Sequence, residues 1–253
     1  MKGFLRFLGK EFTEIVRTWR VWVVPGMLLF MAVSSPILAK LTPALLESVA
    51  SGQQGIKITI PDPTYLDAYA QWLKNLQQMI AIALLITTGG MIAGERASGT
   101  AILVLTKPVS RAAFVVAKFL SQTALLVVAT VIGAAVCWGA TYATFGEAPP
   151  KLLVSMTAVW LAFAVLLVAL MTLLSAGLKS IAAGGVGIGG FFVISVLSLW
   201  GPALDYSPAG LSVAPNALLA GTPVELAWPL ATTAVAVVAL VVAGVLVFKT
   251  KEL

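Results

Sequence analysis

The chain has 253 residues, of which 60% are apolar and 10% charged, with a formal net charge of +6 and no histidine. Soluble domains are about 45–50% apolar and about 25% charged, so this composition excludes an ordinary water-soluble globular class. The missing histidine removes HExxH zinc sites, Ser-His and Cys-His nucleophile pairs and histidine-ligated haem, and the sequence holds no G-x-x-x-x-G-K-[ST] nucleotide loop.

Residues 3–19 are expected to form a helix that lies in the membrane interface. At 100° per residue, Phe4, Leu5, Leu8, Phe12, Ile15, Val16 and Trp19 share one face, and Arg6, Lys10 and Arg17 lie opposite. A cleaved signal peptide fits the order of charges and apolar residues less well. Six spans follow, at about 21–41, 75–94, 112–142, 152–177, 180–201 and 226–248, each long enough to cross a hydrocarbon core as a helix. Their residues do not alternate as barrel strands would. Pro25 and Pro36 are expected to kink the first span.

Residues 42–74 form the longest polar connection. From Tyr65 to Gln78 it reads as a helix leading into the second span. Cys137, the one cysteine, falls inside the third span and reads as a packing residue. Gly185, Gly187 and Gly190 satisfy G-x-G-x-x-G, but inside an apolar span, with no preceding strand, that spacing is no dinucleotide fingerprint. Gly185 and Gly189 read instead as a G-x-x-x-G seam for helix packing. Residues 202–225 carry Pro208, Pro215 and Pro223 and are expected to be a re-entrant region of one or two short helices.

The fold class expected is therefore an all-α polytopic membrane protein, a single transmembrane domain over 1–253 with an N-terminal interfacial helix and six transmembrane helices. With both termini in the cytoplasm, 12 of the 16 Lys and Arg residues fall on the cytoplasmic side, which sets the orientation. The positive charge then reflects topology and anionic lipid, and nucleic acid is not an expected partner. The spans hold almost no acidic residue, so the midplane site of an ion-coupled carrier is missing and work must be supplied by a partner.

The most specific segment is Gly94-Glu95-Arg96-Ala97-Ser98-Gly99-Thr100, followed by Ile102, Leu105, Pro108-Val109-Ser110-Arg111 and Lys118. Ser98 or Thr100 can cap a short helix over 101–106 that Pro108 stops. Here the chain resembles the permease subunits of type-2 ABC exporters, in which a Glu, a Ser-Gly-Thr, a short coupling helix and a Pro-Val-Ser-Arg-like stretch with a downstream Lys follow the second span. The resemblance covers the chain and implies an elbow helix over 3–19, a coupling loop over 95–111, and location in a bacterial-type cytoplasmic membrane. It also implies two separate ABC ATP-binding subunits, which carry the ATP and Mg since no cofactor belongs to this chain, and a second permease chain, identical or a sibling. Under it Glu95 and Arg96 position charge, and Ile102 and Leu105 form the inserted apolar face. Arg111 and Lys118 would anchor the return helix at the headgroups or the motor. The expected cargo is amphipathic or lipophilic: a peptide, drug or lipid-like molecule. The chain is expected not to be an enzyme itself. A membrane-embedded scaffold or sensor and an ion-coupled secondary transporter are the alternatives.

Overall fold

The computed structural model describes residues 8–13, 22–51, 61–101, 106 and 110–251. Phe4, Arg6, Arg17 and Trp19 of the expected elbow helix, and Ile102, Leu105 and Pro108 of the expected coupling helix, lie outside the described residues. Uncharged runs rich in Leu, Val and Ala can satisfy their own backbone in hydrocarbon only by coiling, and the described residues contain helices and no strand. A turn of helix over 8–13, α1, is followed by α2 (Val23–Ser51). Span two is built from α3 (Tyr65–Asn75), a π turn (Leu76–Ile80) and α4 (Ala81–Thr88), with α5 (Ala93–Ala97) after a break. Then come α6 (Arg111–Phe145), α7 (Pro150–Gly177), α8 (Ser180–Leu197), the short α9 (Gly201–Tyr206) and α10 (Gly210–Leu219), and α11 (Ala227–Thr250). Among the described residues, six helical stretches are long and apolar enough to cross a membrane.

Two boundaries differ from expectation. Span two starts at Tyr65 rather than 75, because the Asp67 carboxylate accepts hydrogen bonds from Thr64 N at 2.7 Å and the Thr64 hydroxyl at 3.1 Å and so starts the helix early. From there Ala68, Tyr69, Trp72, Leu73 and Leu76 fall on one buried stripe. Span one runs on to Ser51 as one helix, with Pro36 and Pro43 inside it; Pro25 sits in its first turn, where a missing N–H is harmless.

Span four, α7, is the hub, with 61% of its apolar window buried against 17% for α8 and 11% for α11. It touches α4, α6, α8, α10 and α11, and its Met156, Trp160, Phe163, Leu167 and Met171 fill the core. Neighbours approach closely where glycine removes a side chain. A Cβ on Gly244 of α11 would lie 3.3 Å from Leu173 Cα, and one on Gly133 of α6 would lie 3.1 Å from Trp72 Cη2. The expected Gly185/Gly189 seam does not pack within the chain: a Cβ at either position meets nothing within 4 Å, and both residues are exposed. The face of α8 that packs within the chain is Ala183, Gly184 and Gly187, the last under Met171. Gly244→Leu is accordingly expected to lower the thermal midpoint in detergent, by about 1–3 kcal/mol of overpacking, whereas Gly185→Leu leaves it unchanged.

Polar atoms on α3 and the π turn wire span two to its neighbours at the end opposite Glu95. Trp72 Nε1 donates to Thr157 Oγ1 at 3.2 Å, Asn75 Nδ2 to Ser35 Oγ at 3.1 Å, and Tyr69 Oη to the Pro149 carbonyl at 3.2 Å. Gln77 Nε2 donates to the Ser212 carbonyl at 2.9 Å, and its Oε1 accepts from Asn216 Nδ2 at 3.3 Å, which fastens α10 to span two.

Candidate functional site: the Glu95 corner and an uncharged cavity

The helix of span two stops at Thr88, turns through Gly89–Ile92 and resumes at Ala93. A helix broken among apolar neighbours leaves N–H and C=O groups that need partners. Ser175 of α7 supplies them with one hydroxyl, accepting from Ile92 N and Ala93 N at 3.0 Å each and donating to the Gly89 carbonyl at 2.9 Å. Glycine suits the turn because it runs against the start of α8, where a Cβ on Gly89 would lie 3.0 Å from the Ser180 carbonyl oxygen and 3.2 Å from Gly184 N.

One helical turn later, two adjacent charged residues reach opposite ways. Arg96 donates from Nη1 to the Ala176 carbonyl at 2.7 Å and from Nη2 to the Leu178 carbonyl at 2.9 Å, closing the C-terminus of span four. A cation there meets the negative end of the helix dipole and fills carbonyls that lack intrahelical donors. Glu95 points to α6, where Lys118 Nζ donates to its Oε1; the same ammonium lies 2.5 Å from Glu11 Oε2 of α1. Side-chain exposure is 1% for Glu11, 8% for Lys118 and 14% for Glu95, so two carboxylates share one buried ammonium. Lys10, half exposed, stands 3.6 Å from Glu11 Oε1, and the Phe114 ring centroid lies 5.7 Å from Lys118 Nζ.

Among the described residues, the Ser-Gly-Thr triplet serves the preceding helix. Ser98 Oγ and Thr100 Oγ1 each donate to the Glu95 carbonyl at 3.2 Å and lie 2.8 Å from one another, while Gly99 takes φ of +73°. An L side chain is strained in that left-handed region, so Gly99→Ala is expected to cost about 1 kcal/mol in a denaturant titration. Arg111 closes span six as Arg96 closes span four: its Nη1 donates to the carbonyls of Lys249 at 2.8 Å and Lys251 at 3.0 Å. Phe114 stacks on Phe248 beneath it with centroids 5.2 Å apart. Leu8 of α1 packs on the same small core, with Met91, Ile92, Ala101 and Phe114, while Phe12 is exposed.

Of the residues expected at this corner, Glu95, Arg96, Ser98, Gly99, Thr100 and Arg111 are brought together, and Arg111 grips the neighbouring helix end. Lys118, expected to anchor at headgroups or a motor, faces inward to Glu95 and Glu11 because that is where its counter-charges are. Glu11 and Ser175 were not singled out from the sequence. Glu11 had a signal: it lies seven residues after Phe4 and three after Leu8, on the apolar face of the expected elbow helix. Ser175 had none, since its role depends on a turn in another helix.

Part-way along span two, with Gln77 roughly 27 Å from Glu95 at 1.5 Å per residue, a cavity of about 600 Å³ opens between span two, α7, α8 and α10. Gln77, Gln78, Ser195, Ser198 and Ser212 give it a polar side, and Phe163, Phe191, Phe192, Met79 and Ile82 an apolar one. Phe163 and Phe191 lie 6.3 Å apart between centroids, Phe191 and Phe192 5.9 Å. No charged residue lines it. No cluster of three metal-ligating side chains occurs among the described residues.

The chain belongs to the family described as "Protein of unknown function (DUF2705)", whose model matches residues 54–253. It is also similar to an "Uncharacterized transmembrane protein YxlG" of Bacillus subtilis (strain 168), 22% identical over 125 residues, which are 49% of this chain and 48% of the relative. The chain thus spans about half the length of that curated relative. Six membrane-capable helices and a transmembrane relative make the protein a multi-pass membrane protein.

Proposed function

We propose that this multi-pass protein is the transmembrane permease subunit of an ATP-driven ABC exporter of the type-2 kind, with its termini and the Glu95 corner on the cytoplasmic side. The observation that carries the proposal is the corner itself. Within one helical turn, Ser175, Arg96 and the Glu95–Lys118–Glu11 cluster tie span two to span four, span three and α1, and Arg111 ties span three to span six. A push on the segment after Glu95 would therefore reach four spans together, which is what a membrane subunit without its own nucleotide site needs from a cytosolic motor. The motor can shift the permease between two states only by binding them unequally.

Span two runs from this corner to the uncharged cavity, so the element that receives the push also walls the space that takes cargo. Amide and hydroxyl groups facing three phenyl rings suit an uncharged amphiphile: the polar groups orient it and the rings supply apolar contact. Charged ions and free sugars find no matching set of ligands there.

Two ATP-binding subunits and a second permease chain complete the proposed assembly. The test is to co-express the chain with an ABC-type ATPase encoded beside it, purify the complex in lipid nanodiscs and measure ATP hydrolysis with and without amphiphilic candidates. Co-purification, with hydrolysis stimulated by an amphiphile and uncoupled by Arg96→Ala, is the expected result. Transport in proteoliposomes driven by a pH gradient with no ATPase present would overturn it in favour of an ion-coupled carrier.

A further inference from the structure

We propose that the groove between spans three and four, at the end opposite Glu95, seats one ethanolamine phospholipid from that leaflet. The groove has a volume of about 370 Å³ and exists because Ala134, Ala135 and Ala158 put small side chains on the α6–α7 seam. It runs from Thr130 to Trp138 along α6, roughly 12 Å at 1.5 Å per residue, against a leaflet of about 15 Å of hydrocarbon. Both walls belong to membrane-capable helices, so the groove opens on acyl chains rather than water. Its dimensions suit a single chain.

The open end carries what a headgroup requires. Trp138 Nε1 donates to the Ala148 carbonyl at 2.9 Å and its ring stacks on Tyr142, which fixes an amphipathic aromatic pair at interface depth. Pro150 lines the groove, and the next residue, Lys151, is exposed at the start of α7, beside N–H groups that lack intrahelical acceptors. Glu147, one residue before Ala148, is exposed on the preceding loop. No ion pair joins Glu147 or Lys151 to another described residue. One free cation beside helix N–H groups and one free carboxylate four positions away match the phosphate and the ammonium of a zwitterionic headgroup. An anionic glycerol headgroup would meet the same phosphate partner but offer the carboxylate only neutral hydroxyls, and a choline headgroup has no N–H to donate to it.

The test titrates the detergent-purified full chain with phosphatidylethanolamine, phosphatidylcholine and phosphatidylglycerol of identical acyl composition and counts bound lipid by native mass spectrometry. One phosphatidylethanolamine per chain is expected, held at least tenfold more tightly than phosphatidylglycerol and several-fold more tightly than phosphatidylcholine, and phosphatidylcholine bound as tightly as phosphatidylethanolamine overturns the assignment to ethanolamine. Ala158→Trp, which fills the groove, removes it, and Glu147→Lys turns the preference toward phosphatidylglycerol. Equal retention of the three lipids, or an Ala158→Trp protein that keeps its lipid, overturns the proposal. Because Ala158→Trp could fail to fold, wild-type protein is also photo-crosslinked with a phosphatidylethanolamine carrying a diazirine in its acyl chain. Adducts concentrated in residues 130–138 and 153–161 support the site, and adducts spread evenly over all spans mean annular lipid only and overturn it.

Discussion

Lys118→Met is expected to lower stability by about 3–5 kcal/mol, because it leaves Glu11 and Glu95 buried with their shared counter-charge removed. A buried carboxylate that loses its nearest counter-charge bears a desolvation cost that packing does not offset. The measurement is the thermal midpoint and the monodisperse yield in a mild detergent. The triple variant Glu11→Gln, Glu95→Gln, Lys118→Met should recover most of the loss, since removing a whole buried ion cluster is often nearly neutral while removing one member is not. If Lys118→Met were as stable as the parent, the cluster would have to be solvated, and the tie between α1, span two and span three would fail as a structural account.

Closing the uncharged cavity should have the largest effect on activity. Ser195 of α8 lines it together with Gln77 and Phe163, and a tryptophan there would occupy a substantial part of its roughly 600 Å³. Ser195→Trp is expected to reduce amphiphile-stimulated ATP hydrolysis by the reconstituted complex at least tenfold, with assembly intact on size exclusion. Phe191→Ala removes the ring between Phe163 and Phe192 and should weaken stimulation several-fold, in proportion to the lost apolar contact. Undiminished stimulation in Ser195→Trp would move the cargo path elsewhere in the molecule.

Much of the helical layout was legible because hydrocarbon permits so few solutions: an uncharged run of sufficient length has to coil and cross. Where the structure departs from the sequence reading, short-range signals were outweighed by tertiary context. The helix read from Tyr65 to Gln78 as a lead-in is capped by Thr64 and Asp67 and runs on as part of span two itself, although its charges and amides had set it apart from the uncharged run. The glycines of α8 offer several faces at once, so spacing alone could not say that Gly187 turns inward while Gly185 and Gly189 turn out. At the candidate site, Glu95, Arg96 and Arg111 stood out as charges at span ends. Their partners did not, because Arg96 and Arg111 grip carbonyls, and every residue carries a carbonyl. Glu11 was legible in principle as an acid on an apolar face.

The grips of Arg96 and Arg111 on helix ends carry a consequence for working conditions. A guanidinium keeps its charge at every pH a cell meets, and a peptide carbonyl has no proton to gain or lose. Both grips are therefore indifferent to acidity, and as charge–dipole contacts they depend less on dissolved salt than pairs of full charges do. The Glu11–Lys118–Glu95 cluster is made of full charges, but its burial keeps dissolved ions from it.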